Sequence, residues 1–384
     1  MRGVSAVSNR RRDTALGASG LNRVWRGSTT IREPPAWTGD MNMATVALIT
    51  EEGAAHQQPY RDAIRDLDVI ERAELMDPGG ATFADSVATV GAKAGGTHTS
   101  VDSLLAAGKP DMAIVTMIAA HAPDVIRPLL EAGVHVMAEK PACVNVGQFE
   151  ELAGLADANG AHLMLALANR ISPSVADARR IIQSDGVGDL YAVRAVQVDD
   201  QTRIQRRLND PDWTFQKKLA GGGHLSWLGI HRLDMLSYLV GEDIAEVSAM
   251  TAVAGGAPIN VEDLGIVTFK FAGGALGVLF SGYLMDQKGH NGFTVYGSEG
   301  WVRAHEGEAD ALEWRSISPA MAGSNDRRFE YDGRGGGYTP WVECTVRACL
   351  GEIDLPITAE DGVKVLRVVH AAYASAESGS RVTL

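Results

Sequence analysis

The sequence predicts an α/β chain of two domains: an N-terminal doubly wound parallel sheet, then an α+β domain with a largely antiparallel, open-faced sheet. Three observations carry that prediction. At 384 residues the chain exceeds one ordinary domain. From Ala44, short apolar runs alternate with longer amphipathic stretches, which is the pattern of βαβ units. After about residue 170 the rhythm changes to consecutive strand-like segments joined by tight polar or glycine turns, which indicates antiparallel pairing.

The elements follow in order. Residues 1–42 hold seven arginines against three acids and end at a Met41-Asn42-Met43 cluster without hydrophobic periodicity. They read as a disordered extension or an over-long start. A targeting segment is the alternative, although no apolar run follows Arg10-Arg11-Arg12. Residues 43–168 contain strand candidates at Thr45–Thr50, Ala73–Met76, Met112–Met117, His135–Ala138 and His162–Ala168. Helical patterns at about 54–66, 82–94, 120–132 and 145–159 lie between them, and right-handed crossovers make the sheet doubly wound. In residues 169–384 a helix at about 173–184 precedes a long strand, Tyr191–Val198, and another apolar helix follows Gly223. Strands are then expected at Ile244–Thr251, Gly265–Phe271, Ala275–Gly282, Gly292–Tyr296 and Gly300–Ala304. Helices near 338–350 and 359–377 close the chain, the last expected to pack back on the first domain.

Composition narrows the function classes. The net charge is −13, and because residues 1–42 carry +4, the remainder carries about −17. So acidic a body repels phosphate backbones, which argues against nucleic acid as a partner. Cys143, Cys344 and Cys349 are scattered and contain no CxxC pair, as expected in a reducing, cytoplasmic setting. No apolar run approaches the roughly 18 residues of a membrane span, so no membrane partner is expected.

A dinucleotide-binding turn normally reads GxGxxG, because backbone must approach a pyrophosphate at a helix N-terminus. Here the turn after strand one reads Thr50-Glu-Glu-Gly-Ala-Ala-His56, keeping only Gly53. Its two glutamates stand where a phosphate prefers neutral or positive surroundings. A plain strand-to-helix turn reads equally well locally. Asp77 ends the second strand, where an acid accepts from ribose hydroxyls and repels a 2′-phosphate, favouring NAD over NADP. The alternative for Asp77 is a turn or helix-capping role before Pro78. The strand His135–Ala138 runs directly into Glu139-Lys140-Pro141, placing a charged pair at the sheet edge where α/β folds bind ligands. Proline fixes that turn, in the cis form if the site requires it.

The run Ala132-Gly-Val-His-Val-Met-Ala-Glu-Lys-Pro141, after Asp111–Thr116 and His121, resembles the glucose-fructose oxidoreductase/inositol dehydrogenase (Gfo/Idh/MocA) family. Further segments are similar to it: Asn169-Arg-Ile-Ser-Pro173, the Tyr296-Gly-Ser-Glu-Gly300 turn, and the closing stretch from Ile357 to Ala376. Gly221-Gly-Gly-His-Leu-Ser-Trp-Leu-Gly-Ile-His-Arg-Leu-Asp234 resembles the family's glycine-led helix. The resemblance spans about residues 44–384. It implies a Rossmann domain whose cofactor site uses Thr50, Gly53, Asp77, Thr116, His121, Glu139, Lys140, Asn169 and Arg170. It also implies a lysine, Lys140, beside the nicotinamide and the substrate hydroxyl.

At 100° per residue, His224, Trp227, His231 and Asp234 fall within an arc of about 80°. His231 is the natural acid/base of that stripe, since imidazole titrates near working pH, and a satisfied core histidine is the alternative. Trp227 departs from the family, which carries aspartate there. Tryptophan cannot accept a proton, although its face suits a sugar ring. No metal is expected, because His224 and His231 lie two turns apart, roughly 10 Å along the axis, and no HExxH or Cys/His cluster exists.

The expected activity is therefore NAD-dependent hydride transfer, NADP being less favoured, to or from a secondary alcohol of a sugar, polyol or glycoside. Lys140 and His231 would be catalytic. Trp213, Lys217, His224, Trp227 and Tyr283 are candidate substrate contacts, with Asp212 and Lys218 beside them. The alternatives are an NAD-assisted glycoside-cleaving enzyme, or a non-catalytic protein that senses NAD or sugar. Relatives of this kind pair through the open C-terminal sheet, so a homodimer or homotetramer is expected.

Overall fold

The computed structural model describes residues 42–207, 213–285, 289–306, 310–321, 326–331 and 336–384. All but the last position of the expected N-terminal extension, and Asp212, lie outside the described residues. The first sheet is parallel, six-stranded and ordered β3-β2-β1-β4-β5-β6. Its strands are β1 (Ala44–Thr50), β2 (Ile70–Met76), β3 (Ala94–His98), β4 (Met112–Thr116), β5 (His135–Ala138) and β6 (Leu163–Leu165). A helix follows each of the first five: α1 (Gln57–Asp66), α2 (Phe83–Val90), α3 (Val101–Ala107), α4 (Ala122–Glu131) and α5 (Val146–Ala158). Strands covered on both faces need unbroken apolar runs, and β4 is buried at every position.

The sheet order reverses at β1, which has β2 on one side and β4 on the other. The crevice above the carboxyl ends of these strands is where such folds hold ligands.

Two elements of this half differ from the sequence expectation. The helix expected over 82–94 stops at Val90, and β3 and α3 follow it. β3 reads Ala-Gly-Gly-Thr-His and shows no strand pattern, because its glycines make room for a carboxylate. A Cβ at Gly95 would lie 2.5 Å from Glu74 Oε1, and Gly96 N donates to Glu74 Oε2 at 2.7 Å.

In the second half, α6 (Pro173–Gln183) leads into β7 (Leu190–Asp200), followed by the short helices α7 (Thr202–Arg207) and α8 (Lys217–Ala220). A π-helical turn, Leu225–Gly229, then runs into α9 (Ile230–Val240). The second sheet has nine strands in the order β14-β13-β12-β11-β7-β10-β9-β8-β15. They are β8 (Ile244–Ala252), β9 (Leu264–Phe271), β10 (Leu276–Met285), β11 (His290–Gly297), β12 (Gly300–Glu306), β13 (Asp310–Ser316), β14 (Asp326–Tyr331) and β15 (Val382–Thr383). Only β7 and β10 pair in parallel; the rest is antiparallel. β13, β14 and β15 were not among the expected strands.

Along β9, Val267, Phe269 and Phe271 are buried while Ile266 and Lys270 face outward, so one sheet face is core and the other open. Helices α10 (Tyr338–Cys349) and α11 (Ala359–Ser378) close the chain. α11 packs back on the first half. Gly362 lies so close to Phe149 that a Cβ there would sit 2.7 Å from the ring, and Arg367 pairs with Glu150 at 2.6 Å. Among the described residues, no helix is long and apolar enough to cross a membrane.

Candidate active site

β5 ends in Glu139 and Lys140, followed by a cis bond to Pro141. The Glu139 amide donates to Val115 O at 2.8 Å, which pins this turn to β4. Glu139 is buried and held by several groups: Tyr60 Oη donates at 2.5 Å, and His56 Nδ1 lies at 3.3 Å. Burial works against its charge, yet the contacts with His56, Lys140 and Tyr60 prevail and hold the carboxyl down at about 2.

Lys140 is buried, 4.0 Å from Glu139 Oε1. Its Nζ donates to Trp227 O at 2.5 Å and lies 3.4 Å from the centre of the Trp227 ring. Burial lowers its pKa to about 7; Glu139 resists that shift and Arg203 adds to it. The lysine is therefore an amine poised near neutrality.

Trp227 belongs to the π-helical turn before α9. His56 stacks on it at 5.8 Å and Trp213 meets it edge-on at 5.3 Å. One turn later comes His231, whose imidazole is pushed down to about 3, first by burial and then by the Lys140 charge. At neutral pH it is an uncharged hydrogen-bonding group. Of the two expected proton carriers, Lys140 is the one with a value near working pH. Among the described residues, three buried polar atoms of this region have no hydrogen-bond partner: Thr50 Oγ1, Trp227 Nε1 and His231 Nδ1. Buried polar atoms rarely stay unpaired, so these three have capacity left for a polar group.

A π turn interrupts the expected polar stripe, yet His224, Trp227 and His231 all stay within reach of the Lys140 charge. His224 is fully buried between β7 and β10, with Nδ1 at 2.8 Å from Ser281 Oγ and Nε2 at 3.1 Å from Asp199 Oδ2. Tyr283 packs edge-on against it at 4.4 Å. Asp234 instead receives the Arg170 guanidinium on both oxygens, at 2.6 and 2.9 Å, and Arg170 also reaches Asp361 at 3.1 Å.

Other expected contacts already hold protein partners. Arg170 is a buried cation within the second half, committed to Asp234 and Asp361. Asn169, beside it in a short 3₁₀ turn, is half-buried. Asp77 is buried with Oδ1 on Gly79 N and Oδ2 on Thr82 N, each at 2.8 Å, so it caps its own turn, as the alternative for this residue expects. Burial would raise its pKa, but these amides hold it below the usual value. Lys217 is 62% exposed and pairs with Glu377 at 3.2 Å, bordering a cavity of about 380 Å³ away from Lys140. Trp213 is buried and donates Nε1 to Gly53 O at 3.1 Å, which closes the β1–α1 turn from the second half. Thr116 donates its hydroxyl to Ala55 O, and His121 Nδ1 contacts Glu51 Oε2 at 2.9 Å.

Several residues of the site carried no local signal in the sequence. Asp199 and Ser281 meet His224 only through sheet pairing. Glu262 accepts the Gly223 and Leu225 amides at 2.8 and 2.9 Å, and the Tyr373 hydroxyl at 2.8 Å, at the start of the π turn. The glycines before that turn answer to this packing. A Cβ at Gly222 would lie 2.1 Å from Tyr373 Oη, and one at Gly223 would lie 1.9 Å from Glu262 O. Gly223→Ala is therefore expected to cost about 1–3 kcal/mol in urea unfolding. Gly154→Ala, in α5 with nothing within 4 Å, should instead gain about 0.5–1 kcal/mol.

Residues 47–167 match the family profile described as an oxidoreductase family with an NAD-binding Rossmann fold, and residues 175–303 match the GFO/IDH/MocA C-terminal domain. A levoglucosan dehydrogenase from Pseudarthrobacter phenanthrenivorans is 29% identical over 209 residues, which is 48% of this chain and 52% of that one. The D-glucoside 3-dehydrogenase of Escherichia coli is 26% identical over 66% of this chain and 74% of its own. The match thus spans only about half of the levoglucosan dehydrogenase. Among solved structures, the WlbA dehydrogenase from Chromobacterium violaceum, in complex with NADH and UDP-GlcNAcA, superposes with a TM-score of 0.76 at 25% identity. That alignment covers 92% of this chain and 99% of the other.

Proposed function

The chain belongs to the Gfo/Idh/MocA oxidoreductase family, and from that premise we propose that it moves a hydride between a nicotinamide dinucleotide and a secondary alcohol of a sugar, polyol or glycoside. The observation that carries this reading is the buried Lys140, brought to about 7 at the carboxyl edge of the parallel sheet beside three unpartnered polar atoms. Those unpaired groups fit the reactive end of a nicotinamide cofactor with its substrate.

In this reading residues 43–168 form the cofactor half, with Thr50, Thr116 and Glu139 at its edge, and residues 169–384 form the substrate half. When bound, the dinucleotide supplies the hydride acceptor. Neutral Lys140 takes the hydroxyl proton as the alcohol is oxidised. Glu139 stays ionised and keeps the lysine from falling further. Neutral His231 offers Nδ1 to the same substrate, while Trp213 and Trp227 exclude water. His224, fixed by Asp199 and Ser281, and Tyr283 form the floor. NAD is favoured over NADP because ionised Asp77 remains a negative charge at the end of β2.

The carbohydrate substrate class draws on the dehydrogenases similar to this chain. Pairing through the open sheet face is supported by Met250, Ile266, Phe280 and Val196, which stand in register across four strands, Met250 being 79% exposed. Three free cysteines accord with a cytoplasmic setting.

The test is to supply NAD and a panel of glycosides and polyols and to follow reduced nicotinamide. Oxidation needs unprotonated Lys140, so kcat/KM is expected to rise with pH through about 7 and level off above it. The reverse reduction should fall over the same range. Cleavage of a glycoside without accumulated NADH would point to redox-assisted hydrolysis. The occlusion of Lys140 beneath Trp227 favours a sensor as the alternative, and dinucleotide binding without turnover of any alcohol would support it.

A further inference from the structure

The turn after β1 lacks the glycines that ordinarily cradle a pyrophosphate, and its first residue is Glu51. That side chain does not point to solvent. Oε1 accepts the Ile118 amide at 2.7 Å and Oε2 lies 2.9 Å from His121 Nδ1. Ile118 and His121 belong to the connection after β4, so the carboxylate spans the β1/β4 crevice, where the sheet order reverses. Donors on the far wall that would meet an incoming anion are already spent on an internal one. The turn is tied from two further sides, by Thr116 on Ala55 O and by Trp213 Nε1 on Gly53 O.

We propose that Glu51 is an internal anion that competes with the cofactor's pyrophosphate for the crevice donors and so sets this chain's affinity for nicotinamide dinucleotides. The inference rests on the cofactor reading given above. Two like charges sharing one set of donors disfavour each other, and a single charge within a few ångströms typically shifts such an equilibrium by one to three powers of ten. An arriving pyrophosphate must displace Glu51 from Ile118 and His121. The bridge between the two connections is then exchanged for a bridge through the ligand, so the dinucleotide replaces a contact that the chain makes with itself.

Glu51→Gln separates charge from shape. Its amide oxygen still accepts the Ile118 N–H and its amide nitrogen still faces His121, so the bridge remains while the charge is lost. The experiment titrates NAD into wild type, Glu51→Gln and Glu51→Ala by calorimetry, with thermal midpoints measured alongside. Glu51→Gln is expected to bind about tenfold or more tightly at an unchanged midpoint. Glu51→Ala, which frees the donors as well, should also bind more tightly than wild type. Equal or weaker binding by Glu51→Gln, with wild type binding measurably, overturns the inference and leaves the cofactor reading intact. Absence of binding by all three proteins overturns the cofactor reading, and the inference falls with it.

Discussion

Replacing Lys140 with methionine is expected to lower turnover by about 10²–10⁴-fold, the range that a positioned acid/base contributes, with no loss of folding stability. The two halves of that prediction share one cause. The ammonium group is buried between Glu139 and the Trp227 ring, and its desolvation is what brings its pKa to about 7. Methionine fills similar space without that penalty, and Glu139 keeps its contacts with His56 and Tyr60. Between about 7 and the ordinary lysine value near 10.4, the unfolded chain binds the proton and the folded one does not, so wild-type stability rises with pH there. The advantage of the variant should accordingly be largest below about pH 7 and shrink as pH rises. Thermal midpoints across that range, measured with initial rates, check both halves. A variant that unfolds more easily at every pH would mean that Lys140 serves to hold the fold.

Arg170→Met should cost about 3–5 kcal/mol in urea unfolding, because it leaves Asp234 buried without its cation. Burial already pushes the Asp234 carboxyl up, with Arg170 opposing the shift. Without Arg170 that upward push is unopposed, so the folded state takes up a proton more readily than the unfolded chain. The deficit should therefore diminish as pH falls toward 4. Arg170→Met/Asp234→Leu removes the stranded charge as well and is expected to recover much of the loss. A small, pH-independent effect of Arg170→Met would show that the bridge contributes little.

The part of the fold visible in the sequence is the part where local pattern and tertiary role agree. β1, β4 and β5 must be apolar on both faces, and they read that way. β3 does not, because its Gly95 and Gly96 are chosen to admit Glu74 from the neighbouring strand. β13 and β14 escaped notice because strands toward a sheet edge carry charge, as in the Arg303, Glu313 and Arg328 cluster that links β12 to β14. In the site, Lys140 was legible from Glu-Lys-Pro at a strand end, where the chemistry and the turn are contiguous. Asp77 and Arg170 each already hold a protein partner, the Thr82 amide and the Asp234 carboxylate, a tertiary pairing with no local signature. Glu262 and Asp199 act across 39 and 25 residues of sequence, on Gly223 and His224, and nothing near them marks the role. The π turn likewise has no periodic signature, and Asp234 beyond it pairs with Arg170 while His224, Trp227 and His231 stay around Lys140.

The most direct test of the account is an NMR titration of the lysine side chains in the folded protein, since it needs no knowledge of the substrate. The account predicts one lysine titrating near 7, absent from the spectra of Lys140→Met. If every lysine titrates near 10 and Lys140→Met removes one of those, the buried amine is an ordinary cation and the proposed proton transfer has no carrier.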